Sequence, residues 1–284
     1  MTFTKLHGCG NDYLFVDCTR GSKLPGSTEI AAITRYVSNR RTGVGSDGVI
    51  LVCADRLVDF RMEMYNADGS RGQMCGNGIR SMAKYCYDHG LTADTKIRIA
   101  TDCGVKKLDL EVRGGKVQRV RVEMGKAILG GRQIPVNADG NVVDYPFEAA
   151  GRDWHITCVS MGNPHCVTFD VDPDTVDIER IGPHFENHAF FPQRVNTEFV
   201  RVDARSELTM RVWERGSGET FACGTGACAA LVAAVLTGRA DRKATVHLRG
   251  GDLEIEYHED GNVVMTGPSV EVFTATIEIP GQLV

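Results

Sequence analysis

Hydrophobic and charged side chains alternate along Asp59-Phe60-Arg61-Met62-Glu63-Met64-Tyr65, the period of a strand with one buried face. The segment enters a glycine-containing loop, Asn66 to Gly72, and then Met74-Cys75-Gly76-Asn77-Gly78. Beyond it Ile79, Met82, Ala83 and Cys86 recur at helical spacing up to Gly90, which predicts a helix with a glycine stop. The same plan returns later in the chain. Leu208, Met210 and Val212 alternate within Glu207 to Trp213, a loop Glu214-Arg215-Gly216-Ser217-Gly218-Glu219 follows, and Ala222-Cys223-Gly224-Thr225-Gly226 opens the segment Ala227 to Thr237. That segment is apolar on every side, so it predicts a helix buried all round. Lys107 to Val112 and Lys116 to Met124 flank Gly114-Gly115; Thr245 to Arg249 and Asp252 to Tyr257 flank Gly250-Gly251. These read as hairpins.

The repeat holds its register. Cys223 follows Cys75 by 148 positions, as Met210 follows Met62 and Glu214 follows Asn66, and Gly162-Asn163 follows Gly10-Asn11 by 152. We therefore expect an α+β chain of two pseudo-symmetric domains, each a curved antiparallel sheet or barrel around one central helix. The expected domains are 1–125, completed by 270–284, and 126–269.

With 284 residues, 42% of them hydrophobic and 24% charged, the chain has the composition of folded domains, about two by length. A net charge of −5 without a basic run argues against a nucleic-acid partner. The longest apolar run, Ala227 to Leu236, is half a membrane span. The start, Met1 to His7, has no apolar stretch of the signal-peptide type. The expectation is a cytoplasmic protein with no membrane partner.

Ten cysteines need a reading, and no two are three apart, so the paired spacing of structural zinc is missing. We expect no metal, and most of the cysteines as small buried hydrophobes. Cys75 and Cys223 differ, because each stands at a loop-to-helix junction. The unpartnered N–H groups of a first helical turn attract anions and lower a nearby thiol pKa from about 8.5. Each junction is suited to hold a thiolate beside a carboxylate. Two such thiols facing each other across a cleft suit a racemase, one removing a proton from a carbon and the other returning one to the opposite face. Gly224-x-Gly226-x-x-Ala229 also fits the dinucleotide fingerprint, but hairpins follow it in place of a βαβ continuation.

Six blocks in order resemble the diaminopimelate epimerase family: His7-Gly8-x-Gly10-Asn11-Asp12, Asn66-Ala67-Asp68-Gly69-Ser70, Cys75-Gly76-Asn77-Gly78, Ser160-Met161-Gly162-Asn163-Pro164-His165, Arg194-Val195-Asn196 and Glu214-Arg215-Gly216-x-Gly218-Glu219-Thr220-x-Ala222-Cys223-Gly224-Thr225-Gly226. The likeness as a whole runs from Met1 to about Phe273, nearly the entire chain. The resemblance implies an enzyme that uses neither pyridoxal phosphate nor any other cofactor. It interconverts LL- and meso-2,6-diaminopimelate for lysine and peptidoglycan synthesis. It also implies Cys75 and Cys223 as the catalytic pair, Cys223 accepting and Cys75 donating in the LL-to-meso direction. Asn11, Asn66, Asn163, Asn196, Glu214 and Arg215 would bind substrate. Backbone N–H groups of Gly76, Asn77, Gly224 and Thr225 would hold the reacting carboxylate, and His165 and Glu214 would tune the thiols.

Other readings stay open on the residues alone. Asn11, Asn66 and Asn163 equally suit loop capping by short amides, and His165, beside Cys166, suits a structural histidine. A racemase of proline, hydroxyproline or histidine on the same fold is the alternative activity. Gly48 stands where some relatives have a substrate-contacting Gln, and Phe273 where some have a Tyr at a dimer contact. A homodimer is still expected, without that polar contact. Domain closure on substrate, and an inactivating, reversible Cys75–Cys223 disulfide, are expected as well.

Overall fold

The computed structural model describes residues 1–19 and 26–283. The chain divides into two compact units, Met1–Val122 with Gly267–Val284, and Glu123–Thr266.

In the first unit the elements are β1 (Thr2–Gly8), β2 (Asn11–Cys18), α1 (Ser27–Ser38), β3 (Gly48–Cys53), β4 (Phe60–Asn66), β5 (Arg71–Gly72), α2 (Gly76–Asp88), β6 (Lys96–Thr101), β7 (Gly104–Arg113) and β8 (Lys116–Lys126). A strand at Val270–Thr276 pairs antiparallel with β1. From there the sheet runs through β2, β3, β4, β6, β7 and β8. The helix α2 lies inside it, with Ile79, Met82, Ala83 and Cys86 wholly buried. The helix α1 covers the other face, where Ile30, Ile33 and Val37 pack on Val49, Leu51 and Cys53 of β3. Covered on both faces, β3 is buried at all six positions, which is why Gly-Val-Ile-Leu-Val-Cys shows no alternation.

The second unit repeats this plan with β9 (Tyr145–Ala149), β10 (Arg152–Ser160), β11 (Pro164–Thr168), α3 (Ile178–Glu186), β12 (Asn196–Ala204), β13 (Glu207–Glu214), β14 (Gly218–Thr220), α4 (Gly224–Leu236), β15 (Lys243–Leu248), β16 (Gly251–Tyr257) and β17 (Asn262–Pro268). Its central helix is α4, buried from Ala227 to Ala234. On the outer face α3 packs Ile178, Ile181 and Phe185 against Trp154 and Phe199.

Curved sheets around a central helix are therefore present in both units, but they are not purely antiparallel. The pairs β2–β3, β4–β6, β11–β12 and β13–β15 run parallel. A parallel pair needs a crossover, usually helical, and each of the four helices is one. The hairpin glycines announce the antiparallel turns, Gly114 at φ 60° and Gly115 at φ 75° among them. Crossovers leave no such local mark.

Candidate active site

Both glycine-flanked cysteines are helix N-caps in extended conformation, Cys75 at φ −127°, ψ 122° and Cys223 at φ −118°, ψ 110°. Each sulfur accepts a backbone N–H from the third residue onward, Gly78 for Cys75 and Gly226 for Cys223, both at 3.3 Å. The glycines are required by space. A Cβ on Gly78 would lie 2.7 Å from Ile50 Cδ1, and one on Gly226 would lie 2.7 Å from Glu198 Oε1 and 3.3 Å from Cys223 Sγ.

In the first unit the Cys75 thiol donates to Asn11 Oδ1 at 3.2 Å, and the Asn77 side-chain amide points to the same oxygen at 3.4 Å. Asn11 is held by Asp47, whose carboxylate accepts its Nδ2 at 2.6 Å and the Asp12 N–H at 3.0 Å. The Asp47 carbonyl also accepts the Ala67 N–H at 2.9 Å, tying this cluster to the loop after Asn66. The Asn66 side chain itself closes that loop, donating to Ser70 Oγ at 3.0 Å. Burial drives the Tyr13 phenol well above its usual value, with the Cys75 thiol adding to the rise and Asn11 opposing it. Opposite Asn66 in the β3–β4 register stands Gly48, where a Cβ would fall 2.0 Å from the Tyr65 carbonyl oxygen. No side chain fits there without a backbone shift.

In the second unit a chain of hydrogen bonds leads to Cys223. Glu198 Oε1 lies 2.7 Å from His165 Nδ1, and His165 Nε2 lies 3.1 Å from Asn163 Oδ1. The Asn163 amide donates to Thr225 Oγ1 at 3.3 Å, and that hydroxyl is 3.4 Å from Cys223 Sγ. Glu214, the last residue of β13, takes the Thr220 hydroxyl at 2.5 Å and lies within electrostatic reach of the Cys223 thiol.

The electrostatics at Cys223 correct one expectation. Burial pushes this thiol well above its ordinary value, and the nearby Glu214 and Glu198 push the same way; Thr225 and the Gly226 N–H only partly oppose them. A helix N-terminus contributes at most about 2 kcal/mol, roughly 1.5 pKa units, whereas full burial moves a pKa by about 3–5 units. Desolvation wins, and the resting group is a neutral thiol. Burial likewise raises the Glu214 carboxyl above the usual carboxylate range, with Thr220 and the thiol pulling it back.

Asn196 opens β12 beside His165, and its Oδ1 accepts the Arg215 N–H at 2.7 Å. The Arg215 guanidinium is turned to the Gln193 carbonyl at 2.9 Å. Buried Glu186 holds the same corner, accepting from Trp213 Nε1 at 2.6 Å, the Gly216 N–H at 2.9 Å and Arg194 at 3.0 Å.

Of the residues anticipated from sequence, Asn11, Cys75, Gly76 and Asn77 come together in the first unit. Asn163, His165, Glu214, Cys223, Gly224 and Thr225 come together in the second, with Asn196 and Arg215 as a joined pair. Tyr13, Asp47, Glu186, Glu198 and Thr220 were not anticipated. Only Tyr13 and Thr220, inside or beside the blocks already noted, carried a local signal. Among the described residues no three His, Cys, Asp or Glu side chains form a metal-binding group.

A family model described as diaminopimelate epimerase matches residues 3–130 and 157–272. A diaminopimelate epimerase of Agathobacter rectalis is 53% identical over 288 residues, covering 98% of this chain and all of its own length. One from Methanococcus maripaludis is 47% identical over 281 residues, again 98% of this chain and 100% of the relative. Among solved structures, a hydroxyproline epimerase from Agrobacterium vitis with bound trans-4-hydroxy-L-proline superposes with a TM-score of 0.67 at 15% identity, over 97% of this chain and 91% of that one. A phenazine biosynthesis protein of Bacillus anthracis gives 0.68 at 15% identity, over 98% and 99%. At such identities these two show a shared fold.

Proposed function

The chain belongs to the diaminopimelate epimerase family, and on that premise we propose that it epimerises LL- and meso-2,6-diaminopimelate by two-thiol proton transfer, Cys75 and Cys223 each serving one face of the α-carbon. One observation carries this reading. The two cysteines cap their helices with the same backbone geometry and the same N–H-to-sulfur bond, yet their partners differ. Cys75 offers its proton to a neutral amide oxygen, Asn11 Oδ1. Cys223 has a carboxylate, Glu214, acting on its thiol instead.

The difference supports the following roles. In the LL-to-meso direction Glu214 takes the Cys223 thiol proton, and the resulting thiolate removes the α-proton. Cys75, still a thiol, delivers its own proton to the opposite face; on reversal the roles exchange. Burial raises both the Cys223 thiol and the Glu214 carboxyl, so the step between them does not fight a fully solvated carboxylate. The carbanion needs its charge held as it develops. The first N–H groups of two helices, at Gly76-Asn77 and Gly224-Thr225, suit the reacting carboxylate, an oxyanion-type stabilisation worth about 3–4 kcal/mol per donor. Asn66, Asn163, Asn196 and Arg215 supply polar groups for a substrate charged at both ends, with His165 oriented by Glu198 to tune the thiols.

A homodimer in the cytoplasm fits this reading. Val270, Val272 and Phe273 are 48%, 52% and 42% exposed on one short strand, an apolar surface suited to a second copy. The test of substrate is chromatographic separation of diaminopimelate stereoisomers after incubating reduced protein with the LL form. Meso product from diaminopimelate and none from proline, hydroxyproline or histidine is expected; turnover of those amino acids alone would overturn the assignment.

A further inference from the structure

Cys18 and Cys53, which the epimerase chemistry does not use, end the parallel strands β2 and β3 as register partners. Residues in register on neighbouring strands present their side chains to the same face, and strands lie about 4.8 Å apart, within the roughly 4.4–6.8 Å that Cα atoms of a disulfide span. Both side chains join the apolar cluster beneath α1, and each thiol perturbs the other. They are unequal. Cys18 is half-buried while Cys53 is buried, so oxidant meets Cys18 first.

We propose that Cys18 and Cys53 form a peroxide-reactive dithiol, with Cys18 the attacking sulfur and Cys53 the resolving one. Cys53 lowers the Cys18 thiol, overriding the opposing effects of burial, Asp17 and Glu63, and Cys18 with burial drives Cys53 upward. Cys18 is therefore the more readily ionised sulfur of the pair, and Cys53 the less. The Cys18 thiolate attacks one oxygen of a hydroperoxide, the O–O bond breaks, and hydroxide (or alkoxide) leaves and takes up a proton. Cys18 is now a sulfenic acid. Cys53 gives up its proton, its sulfur attacks Cys18, and the sulfenic oxygen leaves as water. Two thiols have lost two hydrogens and two electrons, and the peroxide has been reduced by two electrons.

The second unit supplies an internal control. Cys158 and Cys166 are also cross-strand register partners and also perturb each other, but they are 1% and 0% exposed in the aromatic core. The same adjacency without access should not react.

The experiment exposes reduced, full-length protein to a small excess of hydrogen peroxide, alkylates the remaining thiols and maps peptides by mass spectrometry. A Cys18–Cys53 linked peptide, two hydrogens lighter than its reduced parts, is expected, with Cys158 and Cys166 both alkylated. In Cys53→Ser, Cys18 should be trapped by dimedone as a sulfenic acid; in Cys18→Ser, Cys53 should stay an alkylatable thiol. Recovery of both Cys18 and Cys53 as free thiols when exposed Cys103 is already oxidised would overturn the proposal. So would Cys53 reacting as readily without Cys18.

Discussion

Glu198 Oε1 lies 2.7 Å from His165 Nδ1, and neither side chain is exposed to solvent. The other Glu198 oxygen is buried without a hydrogen-bond partner, so the carboxylate depends heavily on the imidazole. Through Asn163 and Thr225 the pair connects to Cys223.

Glu198→Gln replaces the carboxylate that hydrogen-bonds buried His165 by an amide. Disturbing a buried hydrogen bond costs about 1–3 kcal/mol, so urea unfolding should show a loss of that order, together with a fall in kcat. A stability change within about 0.5 kcal/mol would mean that the carboxylate does not hold the imidazole in place.

Glu214→Gln keeps the Thr220 contact and removes the proton acceptor. A general base contributes about 10²–10⁴-fold, so kcat in the LL-to-meso direction should fall by that factor with KM little changed. The pH profile decides the role. Because the Glu214 carboxyl is raised, wild-type activity should fall on the acid side at a pH above the usual carboxylate range, as the base becomes protonated. The glutamine variant should lack that limb. An unchanged limb would assign it elsewhere.

Gly226→Ala places a methyl group 2.7 Å from Glu198 Oε1 and 3.3 Å from Cys223 Sγ. Overpacking costs about 1–3 kcal/mol, and displacing the thiol by about 1 Å costs about 100-fold in rate. Gly261→Ala is the contrast: its φ of 87° is strained for alanine but nothing lies within 4 Å. It should lose about 1–2 kcal/mol and keep full activity. Equal rate losses in both variants would point to general destabilisation.

His247 sits 2.8 Å from Asp252 and 2.6 Å from Glu207. The Asp252 hydrogen bond raises its pKa most, burial opposes, and Glu207 adds to the rise. A raised histidine stabilises fully below its unfolded value, about 6.5, and loses that contribution as pH climbs through the folded value. His247→Gln should therefore destabilise at pH 5.5 and be neutral at pH 9. Since the side chain is 40% exposed, the acid-side loss should stay under about 1 kcal/mol. A loss that grows with pH would reverse the sign and refute the assignment.

The residues that could be read from the chain were those whose roles are local. Cys75 and Cys223 were placed at helix starts because glycines and apolar periodicity surround them, and the structure makes both N-caps. The strands ending at Asn66 and Glu214 were visible for the same reason. The outer helices went unread although Ile30, Ile33, Val37 and Ile178, Ile181, Phe185 share one i, i+3, i+7 spacing. With them went the parallel pairs they bridge. Asp47 and Glu198 act through partners 36 and 33 residues away, and no local pattern encodes such a partnership. The Cys223 thiol was misjudged because a helix terminus is legible in sequence, while burial beside two carboxylates is a property of the folded chain.

Two-thiol catalysis is tested most directly by early-time proton NMR of reduced protein and LL-diaminopimelate in deuterated water. Cys223 removes a proton while Cys75, exchanged with solvent, delivers deuterium. Deuterium should therefore enter the α-position of the meso product before it enters recovered LL substrate, and product should vanish in Cys75→Ala and in Cys223→Ala. Meso product that keeps its proton, or deuterium entering LL substrate as fast as product, would show one base working both faces and contradict the mechanism.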